Sequence, residues 1–450
     1  MTKERDRALE LGTKPIGGLL AQYAIPAIIA MTASSLYNMV DSVFIGQGVG
    51  PLAISGLAIT FPLMNLAAAF GAGVGVGAST CISVRLGQKD YKTAEHILGN
   101  NLVLNLIIGV AVGLVALLFL DPILRFFGAS DKTLPYARDY MLIVMGGNVI
   151  SHTYFGMNAV LRAMGKPRHA MAATIFTVVL NTILDPIFIW PLGMGIQGAA
   201  WATVLSQLVA LIWQLWLISR KDGVIHLHRG IYGLKGRIVK NILSIGMSPF
   251  SMNVCACVVV ILINTALVRH GGDLAVGAYG IANRIGFLFF MVVMGINQGM
   301  QPIAGYNYGA LQMDRVMHVL RLSIIIATLV MTVGWVVSVF FPRYCARLFT
   351  SDEELLRLSV DAIRLGSLAF PIIGFQAVTT NFFQSIGKAK ISMFLSLSRQ
   401  LIFLLPLLIV LPNIYGVNGV WYSQPASDLT AAIVTALLLR RQVKRMHVGN

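Results

Sequence analysis

Twelve long apolar segments, joined by short polar loops, constrain this chain more than any other feature. They run roughly over residues 16–45, 51–79, 97–120, 136–161, 169–191, 195–219, 241–268, 274–303, 316–341, 358–385, 391–411 and 417–439. At about 1.5 Å per residue, each can cross a hydrocarbon core of ~30 Å as a helix. Within a bilayer every backbone N–H and C=O must find its partner inside the protein, so the spanning elements are helices. Charged residues make up only 12% of the chain, against about 25% in soluble domains. That is too few to cover a water-facing surface, and it excludes a cytosolic enzyme, a secreted disulfide scaffold and a disordered chain.

A net charge of +16 would point to nucleic acid in a soluble protein. Here the cations crowd into loops between apolar blocks. With the N-terminus inside, cytoplasmic segments hold 24 Lys and Arg and external loops hold 6, while Arg138, Arg284, Arg364 and Arg399 lie in spans or at their edges. This bias predicts both termini in the cytoplasm and leaves no nucleic-acid partner. Cys81, Cys255, Cys257 and Cys345 show no CxxC spacing and read as reduced side chains. The charged N-terminal stretch carries no cleavage signal, so the first span is expected to serve as the insertion signal.

The longest central polar stretch, residues 220–237, divides the apolar segments six and six. The halves resemble each other: PLAISGLAIT at 51–60 aligns with DLAVGAYGIA at 273–282, and MGKPR at 164–168 aligns with IGKAK at 386–390. GIQGAAW at 195–201 aligns with GVNGVWY at 416–422. A six-span repeat keeps the same membrane orientation, which predicts two pseudo-symmetric six-helix lobes related by an axis along the membrane normal. The expected fold is an all-α polytopic membrane protein of 12 transmembrane helices. Residues 1–222 would form the first lobe, 223–240 a cytoplasmic linker and 241–450 the second lobe. Such repeats are characteristic of transporters with a central cavity.

GAGVGVGAS at 71–79 imitates a phosphate loop, but it sits inside an apolar span with no preceding strand. Gly71/Gly75 and Gly73/Gly77 have the small-xxx-small spacing that lets helices approach closely, so packing is the better reading. No GxxxxGK[ST] occurs, and ATP is not expected as the energy source. His226 and His228 lie in the basic linker, where a solvated segment is a better reading than a metal site because no carboxylate or cysteine cluster accompanies them in sequence. No cofactor is expected, and the chain is expected to act as a monomer in contact with membrane lipid.

Acids within spans are the informative residues, because each charge there costs at least ~2.5–3.5 kcal/mol on insertion scales. Three qualify: Asp41, Asp185 and Asp428. Asp41 closes the first span in LYNMVDSVFIG, with Tyr37 and Asn38 four and three residues before it on the same helical face. Asp185 lies in LNTILDPIFIW with Asn181 four residues before it, and Pro186 frees the Thr182 carbonyl. A single intramembrane acid is readily a packing group satisfied by its neighbours. Two acids in one half, each with a same-face amide, point to a shared cation or proton site. In such a low-dielectric pocket the two carboxylates repel, which favours neutralising one of them. The second half replaces the Asp41 equivalent by Asn264, and the Asp185 equivalent falls near Leu407. Its own charges are Arg284, Arg399 and Asp428. Arg399 with Asp428 reads best as a mutually neutralising pair, with a substrate or gating role as the alternative.

These segments, with GIQGAAWATVLSQ, AYGIANRI and SRQLIFLLP, resemble the multidrug and toxic compound extrusion (MATE) family over nearly the whole chain. The resemblance is strongest to a prokaryotic branch carrying two first-lobe aspartates. It implies export of organic, mostly cationic drugs in exchange for H⁺ or Na⁺, by a rocker-switch between the lobes. The family's cation site would fall on Asp41, Asn181, Asp185 and Thr203, which are also the candidate Na⁺ ligands. Tyr37, Tyr140 and Asn158 are the candidate cavity residues. The second lobe lacks deep acids in spans seven and ten, unlike branches that carry one there. A flippase of lipid-linked oligosaccharides is the alternative, although only Arg284 and Arg399 could serve a pyrophosphate. A membrane-embedded enzyme using Asp41 and Asp185 as acid and base would leave the repeat without a purpose.

Overall fold

A computed structural model describes residues 9–349 and 351–448, and every regular element among them is helical. The spans are α1 (Ile16–Gly48), α2 (Pro51–Gly87), α3 (Tyr91–Leu118), α4 (Leu134–Gly146 with Asn148–Ala163), α5 (Pro167–Ile189) and α6 (Ile196–Ser219). They continue with α7 (Gly236–Gly272), α8 (Leu274–Gly309), α9 (Met313–Phe340), α10 (Glu353–Gly366 with Phe370–Ser385), α11 (Ala389–Tyr415) and α12 (Val417–Val448). Nine of these, among the described residues, are by themselves long and apolar enough to cross a membrane, and α10 is a tenth if its bent halves count as one span. In α4 each piece is short, and α12 carries a polar stretch, residues 423–428, that lowers its hydropathy.

The fourth and tenth segments, continuous in the sequence reading, are each broken. α4 breaks at Gly147, where an added Cβ would meet the methyl groups of Val204 within 3 Å. The break in α10 turns the chain by 54° just before Pro371, the second residue of its second piece. A proline so placed fits a helix start but cannot continue the preceding turn.

Duplication is written into the backbone as well as the sequence. Gly50 (φ 122°) and Gly272 (φ 73°) head α2 and α8, 222 residues apart. Lys89 and Leu311, the same distance apart, are the two non-glycine residues with positive φ among the described residues, both at 60°. Gly195 and Gly416, which start α6 and α12, share φ/ψ of 60°/−136° and 63°/−137°. Most side chains cannot adopt that conformation without strain.

The Cα positions group into two compact units. The first holds Ile25–Asn253 together with Gly305–Leu311, and the second holds Ile16–Ala24, Val254–Ala304 and the chain from Gln312 onward. In the first unit the glycine-rich stretch of α2 lies against two helices. Gly71 and Gly75 face His152 and Gly156 of α4, while Gly73 and Gly77 face Gly246 and Ile242 of α7. This is the close packing expected of that spacing. The apolar core beside it joins Ile45, Leu57, Tyr140, Met145, Ile189 and Ala199. In the second unit Gly299 backs onto Ala24, and Val259, Ile263, Leu404, Leu408 and Trp421 form the core. Outward positions such as Leu114, Leu118, Ile325 and Leu329 are exposed apolar side chains, as a lipid-facing surface requires.

The end of α8 returns to the first unit in a reciprocal crossing with α2. A Cβ on Gly87 would fall on the Tyr306 carbonyl, and one on Gly309 would fall on the Val84 carbonyl. Both partners are helical backbone and cannot yield as a flexible side chain would. Gly87→Ala and Gly309→Ala are therefore expected to lower stability by about 1–3 kcal/mol. Gly18→Ala, where nothing lies within 4 Å, should be neutral or stabilising. Thermal unfolding of the purified variants checks this, and a loss with Gly18→Ala equal to the other two would contradict it.

Candidate functional site

Four helices of the first unit, α1, α4, α5 and α6, bring their polar residues together. Asp41 from the end of α1 is 5% exposed, and Asp185 and Asn181 from α5 are 0% and 1% exposed. The Asp41 and Asp185 carboxyl groups are close neighbours. Two ionised carboxylates so placed repel each other, which favours a proton on one of them. Oδ1 of Asp41 is buried with no protein partner.

Asn181 organises the rest. The amide orientation that satisfies every neighbour directs Nδ2 to both Asp185 oxygens, at 3.1 and 2.9 Å. Its Oδ1 then accepts from the Tyr37 hydroxyl at 3.1 Å and from the Thr203 N–H and Oγ1, each at 3.0 Å. The Tyr37 and Thr203 hydroxyls also lie 3.0 Å apart, and Thr203 Oγ1 lies 3.1 Å from the Ala199 carbonyl of α6, so the two hydroxyl protons are distributed among these acceptors. Tyr140, from the first piece of α4, is buried beside the same group of residues.

Asp41, Asn181, Asp185, Thr203, Tyr37 and Tyr140 thus form one cluster. Asn38, on the same sequence face as Tyr37, is exposed instead. The α-helical period of 3.6 places residue i−4 closer to i than it places i−3 when a neighbour helix packs on one side. Asn158 lies in a separate network. It donates to the Ala170 carbonyl and Thr174 Oγ1 at 3.1 and 3.2 Å, and accepts from Arg162 at 2.6 Å.

In the second unit Arg399 Nε meets Asp428 Oδ1 at 2.8 Å. The aspartate side chain is 1% exposed and the arginine 26%. Arg399 sits in a π-helical stretch of α11, Ser398–Leu404, and its carbonyl accepts from Ser427 at 2.8 Å. Arg284 is exposed.

The linker is tied down more firmly than a solvated segment. Glu95 at the start of α3 receives His226 Nδ1 at 3.4 Å and His228 Nε2 at 2.9 Å. This carboxylate, remote in sequence, is the acid that the linker itself lacks. It holds the His228 imidazolium, raising that pKa, with the Arg229 carbonyl assisting. Asn100 donates to the Gly233 carbonyl at 3.0 Å and accepts from the Lys235 N–H at 2.9 Å.

A duplicated set of membrane helices with a buried carboxyl pair between them has the architecture of a membrane transporter. The chain belongs to the MatE family, whose model matches it twice, over residues 26–187 and 249–410. One match falls in each half, and their starts are 249 − 26 = 223 residues apart, so the duplication is seen again. Multidrug export protein MepA of Staphylococcus haemolyticus is 25% identical over 429 residues, covering 95% of this chain and 94% of its own. MepA of Staphylococcus aureus (strain MSSA476) is 25% identical over 426 residues, covering 94% of each. Among solved structures, a MATE protein in a bent conformation superposes with a TM-score of 0.93 at 26% identity, covering 100% of this chain and 99% of that one. A MOP superfamily transporter from Pyrococcus furiosus gives 0.92 at 26% identity, covering 98% of each.

Proposed function

We propose that this transporter exports organic, mostly cationic drugs in exchange for H⁺, by rocker-switch alternating access with the Asp41–Asp185 pair as its coupling site. The observation that carries this reading is the mutual approach of two buried carboxyl groups. In that pocket the doubly ionised state is expensive, and a single proton relieves it. Protons entering from outside neutralise the pair and favour the state that releases drug. Loss of the proton to the inside restores negative charge, which attracts a cationic guest to a site lined by Tyr37 and Tyr140. Small-molecule substrates are supported by the curated relatives, which are named as multidrug export proteins.

The carboxyl pair favours H⁺ over Na⁺, because a single proton relieves the repulsion between two buried carboxylates. Na⁺ needs several oxygens converging on it. A proton needs only a carboxylate.

Efflux of an ethidium-type cation from inverted membrane vesicles tests the proposal. An imposed pH gradient should drive efflux without Na⁺, and efflux that follows only a Na⁺ gradient would reverse the ion assignment. No efflux under either gradient would remove the drug-export reading. The expected orientation is checked with Gly233→Cys, since an added side chain there meets nothing within 4 Å. The cysteine should resist an impermeant thiol reagent in intact cells and react in inverted vesicles. Labelling from outside would invert the topology.

A further inference from the structure

The end of α12 carries a feature that transport does not use. Leu429, Ile433 and Leu437 are exposed along one face of the helix, at 52%, 57% and 63%. Past Leu439 the helix continues to Val448. Exposed Arg440, Arg441, Lys444 and Arg445 follow on from the apolar row, while Gln442 and Met446 are buried on the opposite side. The buried pair sets the rotation of the helix, so the basic row extends the lipid-facing row at i, i+4 spacing.

Among the described residues no carboxylate pairs with any of these four cations, and no Asp or Glu follows Asp428 in the sequence. Arg440 with Lys444 and Arg441 with Arg445 are like-charge i, i+4 pairs, which by themselves weaken a helix. A row of cations that begins where the hydrocarbon-facing residues end meets the phosphate layer of the membrane. Orientation signals alone require neither one helical face nor a helix that outlasts its apolar stretch, because loop charges in any arrangement would serve.

We propose that Arg440, Arg441, Lys444 and Arg445 form a binding surface for anionic phospholipid headgroups, anchoring the end of α12 at the membrane surface. The continuity with exposed leucine and isoleucine selects a lipid over a soluble acidic partner. A planar guanidinium matches a phosphate bidentately.

The full-length protein in neutral detergent is titrated with phosphatidylglycerol, with phosphatidylcholine of the same chains, and with inorganic phosphate. Photoreactive analogues of the two lipids map the contact. Phosphatidylglycerol should bind at least about tenfold more tightly than phosphatidylcholine, crosslink within residues 437–448, and lose most of that preference at high salt. Arg440→Gln/Arg441→Gln/Lys444→Gln/Arg445→Gln should abolish the preference, while Arg440→Lys/Arg441→Lys/Arg445→Lys should retain it. If the quadruple variant does not accumulate, Arg441→Gln/Arg445→Gln alone should weaken the preference by about threefold or more. An unchanged preference in the neutralised variants overturns the proposal. So do crosslinks elsewhere in the chain, or inorganic phosphate competing as effectively as the lipid.

Discussion

Asp41→Asn and Asp185→Asn should each bring gradient-driven efflux close to the level of vesicles lacking the transporter, with the protein still inserted. Each substitution keeps size and hydrogen-bond capacity and removes a group that can alternate between charged and neutral forms. Insertion should be unharmed or improved, since an intramembrane charge costs at least ~2.5–3.5 kcal/mol on insertion scales. The surrounding network sharpens this expectation. Asn181 reaches both Asp185 oxygens and also holds Tyr37 and Thr203, so Asn181→Ala loosens the cluster without removing its titrating pair. Asn181→Ala and Thr203→Ala should therefore reduce efflux only partly, and any Na⁺ dependence should suffer more than H⁺ dependence. Normal efflux by well-expressed Asp41→Asn and Asp185→Asn proteins would place the coupling site elsewhere in the chain.

The Arg399–Asp428 pair should respond unequally to loss of either partner. Breaking a buried ion pair costs about 3–5 kcal/mol because the remaining charge is stranded. Here Asp428 is almost fully buried, whereas Arg399 keeps a quarter of its side chain exposed. Arg399→Gln strands the buried carboxylate, and its cost should reach that range. The ceiling is about 4 kcal/mol, the cost of protonating an ordinary aspartate at pH 7. Asp428→Asn leaves a weakly hydrated guanidinium that the new amide oxygen can still accept from, so it should cost less. The double change should recover part of the larger loss. Thermal unfolding of the four proteins, with efflux measured in parallel, separates packing from transport. A double variant no better than Arg399→Gln would argue against mutual neutralisation and favour a substrate role for Arg399.

Both predictions began as readings of single residues, and they were legible to different degrees. Asp41, Asp185 and Asp428 stand out in the sequence because an acid within an apolar span is expensive wherever its partner lies. The pairing of Arg399 with Asp428 followed from the need to neutralise both. Asn158 and Tyr140 looked equivalent in sequence, both polar positions of the fourth span. The break at Gly147 puts them in different pieces of α4, and Asn158 bonds to Arg162 and Thr174 while Tyr140 joins the carboxyl pair. A local pattern carries no sign of such a break when the residues on both sides are apolar. The two histidines of the linker looked unpartnered because Glu95 is over 130 residues away.

The sequence by itself determined the membrane class, the twelve spans, the duplication and the presence of two acids in one half. Those properties follow from segment length, composition and repeated motifs, each of which is local and additive along the chain. Only the tertiary structure decided that Asp41 and Asp185 meet, that Asn181 sits between Asp185, Tyr37 and Thr203, and that the exposed rows of α12 share one face. These depend on which helices pack together and how each is rotated about its axis. Contacts across 144 residues, such as that between Tyr37 and Asn181, depend on how whole helices pack. No periodicity within one segment encodes the rotation of another.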